Sequence, residues 1–426
     1  MSLARFAYSI LIYLLLPFIF MKLWWRGRSN PAYRQGWRQR LAYVNQVGNY
    51  QPCICLHAVS VGETMAARPL IEALLMHYPE YSLWISSTTP TGWATVERLF
   101  AGRVQQTYLP YDTPDAVTRF LKHIRPSLML LMETELWPNL YAACTKQSIP
   151  LVLVNARLSA RSARGYARVK TLTQETLGRV TLIAARERRD AERFQALGAA
   201  IGQIKVLGNI KFDAPIPTHA KQQAALLRQV WGRSLVWVAA STHRGEDELI
   251  LQAHQQLLRQ FPDLLLILVP RHPERFTEVA KLCEQTGLIY ARRSQQKPLD
   301  PATAILLGDS MGELLLWYAC ADLAFVGGSL VDVGGHNLLE AVAFAVPVIS
   351  GRYVYNFQDI YPPLVEKGAA VLVDSPELLA HYLAAWLANP EERQRAGQAG
   401  RQFLEQQQGV VERLMPYLDQ FLKTNN

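Results

Sequence analysis

At 426 residues the chain is too long for one ordinary hydrophobic core and suits two domains. Hydrophobic residues make up 50% and charged ones 19%, which excludes a disordered chain and points to a globular protein with one greasy element. The net charge of +9 is concentrated at the start, where Arg5, Lys22, Arg26, Arg28, Arg34, Arg38 and Arg40 all precede the first acidic residue, Glu63. A basic block beside an apolar segment suits an anionic membrane surface, and with no nucleic-acid motif in the chain, nucleic acid is not an expected partner.

The apolar segment comes first. Residues 6–21 are almost wholly apolar and contain Pro17; Lys22 interrupts the run and Leu23-Trp24-Trp25 continue it. At ~1.5 Å per helical residue, 6–21 alone falls short of a ~30 Å hydrocarbon core, and with the two tryptophans it just reaches. A cleaved signal peptide fits poorly, because the positive charge follows the run and no Ala-x-Ala site comes after it. The arginines after Trp25 favour a body on the cytoplasmic side. Residues 1–25 therefore read as a retained membrane anchor, spanning or interfacial, with the body on the cytoplasmic side.

After a polar linker (27–50) the chain alternates apolar strand-like runs with helical spacing. Residues 53–59 read as a buried strand, Ser60 to Gly62 as a small-residue turn, and 64–78 as a helix with Met65, Leu70, Ile71, Leu74 and Leu75 on one face. Further strands are expected at 83–88, 104–109, 128–132 and 151–154. Residues 210–219, with Pro215 and Pro217, break the rhythm and mark a boundary between domains 26–213 and 214–426. A second series follows, with strands at 235–240, 264–269, 304–307, 324–326 and 346–349. From 390 onward the pattern is helical only; the last helix is assigned to the second domain, with packing back on the first as the alternative. Strands separated by helical segments imply right-handed βαβ units and parallel sheets. The expected fold is α/β, with two doubly wound Rossmann-like domains facing a cleft and an N-terminal anchor helix. The five cysteines, odd in number and without CxxC spacing, read as buried reduced thiols, and no metal site or cofactor is expected.

Polar residues collect where strands end, which is where open α/β sheets place ligands and also where turns must be. Glu63 sits on a strand–turn–helix corner. It is a candidate general base, or a first-turn carboxylate that complements the helix dipole, whose field favours the ionised form. Glu133 and Glu135 flank Thr134 after an apolar strand; an extended backbone points both to one face as paired carboxylates, and the alternative is a cap before Trp137-Pro138. Asn155 and Arg157 end another strand, and Arg157 suits a bidentate anion contact. Gly327-Gly328-Ser329 and Gly334-Gly335-His336-Asn337 are glycine-rich loops before a helix expected near Asn337, a place suited to phosphate. Glu340 in its first turn either accepts from ribose hydroxyls or completes a cap with Asn337. Lys211, Arg271 and His272 offer positive charge to a nucleotide phosphate.

Together these strings resemble one family. HAVSVGE (57–63), METELWPN (132–139), NARLS (155–159), GNIKFD (208–213), STHRGE (241–246), PRHPERF (270–276), GDSMGELLLWYACAD (308–322), VGGSL (326–330) and GGHNLLEA (334–341) are similar, in order and over nearly the whole chain, to the bacterial lipid A Kdo (3-deoxy-D-manno-octulosonic acid) transferases. One departure is Ala341-Val342, where the family pattern has Pro-Ala. The resemblance implies a GT-B fold and inverting transfer of Kdo from CMP-Kdo to a lipid A precursor, lipid IVA, in lipopolysaccharide biosynthesis at the cytoplasmic face of the cell inner membrane, with no obligatory metal. It implies that Glu63 is the base and that Glu133 or Glu135 is essential. It places donor binding at Lys211, Ser241, Thr242, Arg271, His272, Met311, Gly312, Gly335, Asn337 and Glu340. Acceptor contacts are expected at Ser60, Gly62, Arg34, Arg38, Asn155 and Arg157. Two rivals are a membrane-surface enzyme of the same fold with a UDP-sugar donor, and a tethered nucleotide-sugar-binding protein without turnover. A dinucleotide-dependent dehydrogenase is disfavoured because no GxGxxG follows a first strand.

Overall fold

The computed structural model of the protein describes residues 2–43, 52–213 and 218–423. Linker residues 44–50 and the boundary prolines Pro215 and Pro217 lie outside them. Two compact units result: Met1–Ala214 with Gln407–Asn426, and Pro215–Gln406.

The first unit holds a seven-stranded parallel sheet: β1 (Cys53–His57), β2 (Ser82–Ser87), β3 (Gln105–Tyr108), β4 (Pro126–Met132), β5 (Leu151–Ala156), β6 (Leu182–Ala185) and β7 (Ile204–Val206). Their order is β3-β2-β1-β4-β5-β6-β7. The order therefore reverses between β1 and β4, and this switch point is where doubly wound sheets bind ligands. Helices cover both faces, so the central strands are mostly apolar on both sides, with polar residues such as His57 and Asn155 at their carboxyl ends. On one face Ile54, Leu56, Leu128, Leu130 and Val152 pack with helix α2 (Val61–His77) and the last helix, Val410–Lys423. On the other, Cys53, Cys55, Met129, Leu131 and Leu153 build a second core. All five cysteines are buried and free. The last helix belongs to the first unit: Val410, Leu414 and Leu418 enter its core, and Asp213 accepts from the backbone N–H of Gly409 (2.8 Å) and Val411 (2.7 Å).

The apolar N-terminal segment forms helix α1 (Leu3–Arg26), whose mean hydropathy of 2.0 and 24 residues are enough to cross a membrane by length and composition. It does not stand free of the first unit. Ser9 is buried and exchanges hydrogen bonds with Asn139, Tyr13 donates to Asp115, and Ser2 reaches Glu175. Further along, Phe20 packs against Trp37 and Tyr111. The helix thus lies along the unit from Ser2 to Leu23. Its opposite stripe, with Phe6, Ile10, Leu14, Phe18, Met21 and Trp25, is exposed.

The second unit repeats the plan with β8 (Val236–Thr242), β9 (Leu265–Pro270), β10 (Tyr290–Arg292), β11 (Ile305–Leu307), β12 (Leu323–Val326), β13 (Val348–Gly351) and β14 (Ala370–Val373). Their order, β10-β11-β9-β8-β12-β13-β14, places its switch point between β8 and β12. Four strands have no counterpart among those expected from sequence: β6, β7, β10 and β14. Each has three or four residues, and β7, β10 and β14 are sheet edges, so none carries a long apolar run.

Candidate functional site

In the first unit the switch point carries a cluster of carboxylates. The chain leaves β1 through Ala58 and Val59, and Ser60 caps α2. Glu63 turns back on this corner: its Oε2 accepts from the Val59 N–H (2.8 Å) and its Oε1 from the Ser60 hydroxyl (3.3 Å). Gly62 beside it is exposed, and a Cβ there would meet only the Ser60 hydroxyl, at 3.8 Å. Val59 also ties the corner to the next strand end, because its carbonyl accepts from the Thr88 and Thr89 hydroxyls.

Glu133 and Glu135 follow β4, the neighbouring strand. The backbone there is not the extended one expected from sequence. Glu133 has φ 55°, a left-handed conformation that residues other than glycine rarely adopt. Thr134 secures the loop by donating to the Arg157 carbonyl, and Tyr141 donates to the Glu135 carbonyl (2.5 Å).

Electrostatics mark these carboxyls out. Burial pushes Glu63 up to about 7, and the negative charges of Glu133 and Glu135 add to the rise against the Val59 and Ser60 hydrogen bonds. Burial likewise pushes Glu135 up to about 7, with Glu133 adding and the neighbouring Trp137 opposing. The expected effect of the helix end, to favour ionised Glu63, is overridden by desolvation and like charge. A cluster in which Glu63 and Glu135 titrate near neutrality can take up and release a proton at ordinary pH, which a dipole-capping glutamate does not do.

The other residues expected near the acceptor scatter. Asn155 (φ 54°, buried) accepts from the Ile210 N–H (3.0 Å) and braces the β5 bulge. Arg157 is half-buried at the end of β5. Arg34 and Arg38 are beside the end of α1, with Arg34 donating to the Trp24 carbonyl and stacking on its ring. Arg40, read from sequence as part of a membrane-facing block, is buried: it donates to the Thr88 carbonyl (2.9 Å) and lies over the Tyr108 ring.

In the second unit the loops after β8, β9 and β12 converge. Lys211 is not among them; it sits in the 3-10 turn Ile210–Asp213 of the first unit. Ser241 occupies the β8 bulge at φ 56°. Thr242 is fully buried, its hydroxyl donating to Asp247 (2.5 Å), which in turn pairs with Arg275 (2.6 Å). That side chain is a strut inside the fold, at the end of β8. Arg271 and His272 are exposed on the loop after β9. Met311 and Gly312 (φ 85°) form an exposed turn after β11.

The glycine-rich loops differ from expectation in a specific way. The amides of Gly328 (2.7 Å), Ser329 (3.0 Å) and Leu330 (2.9 Å), with that of His243 (2.9 Å), all donate to the fully buried carboxylate of Glu246. An internal anion therefore already fills the nest expected for phosphate. A Cβ on Gly327 would meet the Ser241 carbonyl at 2.6 Å and Glu246 at 2.9 Å, which explains the glycine. The helix expected near Asn337 is only the single turn Leu339–Val342, too short to carry a useful dipole; the left-handed Ala345 and then Pro347 end it. Asn337 accepts from the Leu339 N–H, and its amide reaches Glu340 (3.4 Å). Burial raises Glu340, opposed by Asn337 and by the charge of Arg271. Gly335 (φ 77°) donates its N–H to the Gly328 carbonyl, locking the two glycine loops together.

Sequence reasoning also missed His243 and His336. Their rings stack, with Nε2 atoms 2.8 Å apart, so one donates and the other accepts. Burial and the positive charge of Arg271 and His272 hold both below the usual histidine range, His336 at about 4. His272 meets His243 edge-on. Arg271, the three histidines and Glu340 thus form one polar group, the part of this unit best equipped to meet an anionic ligand. STHRGE and GGHN carried the signal for the histidine pair and for Glu246, but periodicity assigned them no role. Among the described residues no group of three or more His, Cys, Asp or Glu is arranged to hold a metal ion.

Known proteins bear on both units. Residues 35–214 match the family described as 3-Deoxy-D-manno-octulosonic-acid transferase (kdotransferase), and 235–403 match Glycosyl transferases group 1. Over 424 residues, 99% of each chain, the protein is 41% identical to a 3-deoxy-D-manno-octulosonic acid transferase of Haemophilus influenzae. It is 36% identical to that of Bordetella pertussis, over 98% of this chain and 99% of the other. The solved UDP-GlcNAc 2-epimerase of Neisseria meningitidis shares the fold at 13% identity, with a TM-score of 0.56 over 86% of this chain and 99% of its own.

Proposed function

The chain belongs to the 3-deoxy-D-manno-octulosonic acid transferase family, and from that premise we propose that it moves Kdo from CMP-Kdo to lipid IVA with inversion, Glu63 serving as general base. The observation that carries this reading is the carboxylate cluster at the first unit's switch point, with Glu63 held at about 7.

The chemistry follows from those groups. An acceptor hydroxyl gives its proton to the Glu63 carboxylate as its oxygen attacks the anomeric carbon from the face opposite the phosphate. The anomeric carbon–oxygen bond to the phosphate breaks, and the electron pair leaves with CMP. Positive charge developing on the sugar is stabilised by the carboxylates of the Glu133–Glu135 loop. Negative charge developing on the phosphate is met by Arg271 and His272, with the Met311-Gly312 turn and Gly335 to Glu340 completing the donor site. A base held near 7 suits this step, being ionised often enough to act and basic enough to take the proton.

The same reading places the protein on the cytoplasmic face of the inner membrane. Because α1 rests its length along the first unit through Ser2, Ser9 and Tyr13, it suits lying in the interface with Phe6, Leu14, Phe18 and Trp25 dipped into lipid, rather than crossing the bilayer. Its neighbours Arg26, Arg28, Arg34 and Arg38 complement the phosphates of the surface and of the acceptor. Incubation with CMP-Kdo and lipid IVA, with mass spectrometry of the product, tests the assignment: a gain of one or more Kdo masses is expected. Transfer from a UDP-sugar instead, or no transfer, sinks it.

A further inference from the structure

Where α1 ends, residues 31–43 fold back beside it and leave a groove of about 540 Å³ lined by Phe20, Trp37, Arg38, Leu41 and Tyr43. Its walls are fixed. The Trp37 indole N–H donates to the Tyr33 carbonyl (2.9 Å), leaving the apolar faces of the ring to the groove and to Phe20, 5.2 Å away. The Leu41 carbonyl accepts from both Nε and Nη2 of Arg119, whose guanidinium lies over the Tyr43 ring at 4.4 Å. The size falls within the ~300–1,000 Å³ range of small-molecule sites.

The lining carries positive charge: Arg38 belongs to it and, among the described residues, pairs with no carboxylate. Arg26 lies over the ring of Tyr33, whose carbonyl holds the Trp37 indole. The wall is also tied to the carboxylate cluster. Arg40, next to Leu41, donates to the Thr88 carbonyl; the Thr88 N–H donates to the Val59 carbonyl (3.3 Å), and the Val59 N–H to Glu63. An apolar slot, an arginine in its wall without a carboxylate partner and a hydrogen-bonded link to the base together describe a receptor for a phosphorylated lipid.

We propose that this groove takes one acyl chain of the acceptor lipid while Arg38 in its lining holds an acceptor phosphate. The proposal rests on the Kdo-transfer reading. Moving a chain from bilayer to groove exchanges one apolar environment for another and adds little affinity. The gain is positional: a seated chain fixes the height and orientation of the sugar headgroup against Glu63, and misplacement by about 1 Å costs orders of magnitude in rate.

The test uses the full-length protein, CMP-Kdo and a lipid IVA analogue with a photoreactive diazirine on one acyl chain. Cross-links should map to Phe20, Trp37, Leu41 or Tyr43, and unlabelled lipid IVA, but not phosphatidylglycerol, should compete them away. Displacement by phosphatidylglycerol to the same extent would identify a bulk bilayer lipid as the occupant and overturn the proposal. So would cross-links only elsewhere while transfer proceeds. Kdo transfer is read in the same tubes; its absence fells the functional reading and the acceptor assignment with it, an outcome distinct from transfer without groove labelling. Leu41→Asp, and Tyr43→Asp at a position 52% exposed and so safe for folding, should cut the preference for acylated over deacylated acceptor roughly tenfold. An equal loss on both acceptors would mark the groove as merely structural.

Discussion

Glu63 and Glu135 are held against their own ionisation, and that has a thermodynamic signature. In the unfolded chain each ionises near the ordinary glutamate value, and in the folded chain at about 7. Between those values the unfolded state binds fewer protons than the folded one, so stability falls as pH rises through the window and stays low above it. Replacing either with an uncharged isostere removes the penalty. Glu63→Gln and Glu135→Gln should each raise the melting temperature at pH 8 and change it much less at pH 5, as differential scanning calorimetry at the two values would read. Equal shifts at both would show that the carboxyls are ordinary. Because the charges interact, the titrations near 7 belong to the cluster and not to one residue. This property was not legible in the sequence. Glu63 was recognisable as a corner residue, but the dipole argument gave the wrong direction, because burial and the approach of the Glu133 loop depend on β1 and β4 being neighbours.

Among the elements, the longer strands were legible, since a strand covered on both faces is one apolar run. The short edge strands were not, and neither was the true use of the glycine-rich loop after β12. Its amides look free for phosphate in sequence, yet they converge on Glu246, which holds the ends of β8 and β12 together. Glu246→Ala would leave four N–H groups, two of them buried and two partly buried, without an acceptor and should cost at least ~3 kcal/mol in chemical denaturation. Glu246→Gln, which keeps one carbonyl oxygen, should cost less. An effect below ~1 kcal/mol for the alanine variant would contradict the role, since a single unsatisfied buried donor already costs about that much. The one-turn helix at Leu339–Val342 was over-read for the same reason: a glycine-rich loop before an apolar run announces a helix start, but Ala345 and Pro347 decide its length.

For the whole molecule, the sequence showed the two α/β units and the charged N-terminal end, and the structure redistributes that charge. Arg40 is a buried strut and Arg5 is not exposed, while Arg26, Arg28, Arg34 and Arg38 surround the end of α1. If these four meet anionic headgroups, each contributes ~1 kcal/mol. Replacing all four by Gln should weaken sedimentation with vesicles containing phosphatidylglycerol by two or more orders of magnitude at low salt. Wild-type binding should weaken as salt shortens the Debye length from ~10 Å at 0.1 M to ~3 Å at 1 M. Binding that ignores both salt and the arginines would assign membrane attachment to the apolar face of α1 alone.

The most direct measurement compares the wild-type protein with Glu63→Gln in two assays on the same preparations: Kdo transfer from CMP-Kdo to lipid IVA, and affinity for CMP. A base that acts on the acceptor hydroxyl predicts transfer lowered by at least ~10²-fold, the lower end of what a positioned general base supplies, with CMP affinity nearly unchanged. Transfer near the wild-type rate, or a large loss of CMP binding, would contradict the account.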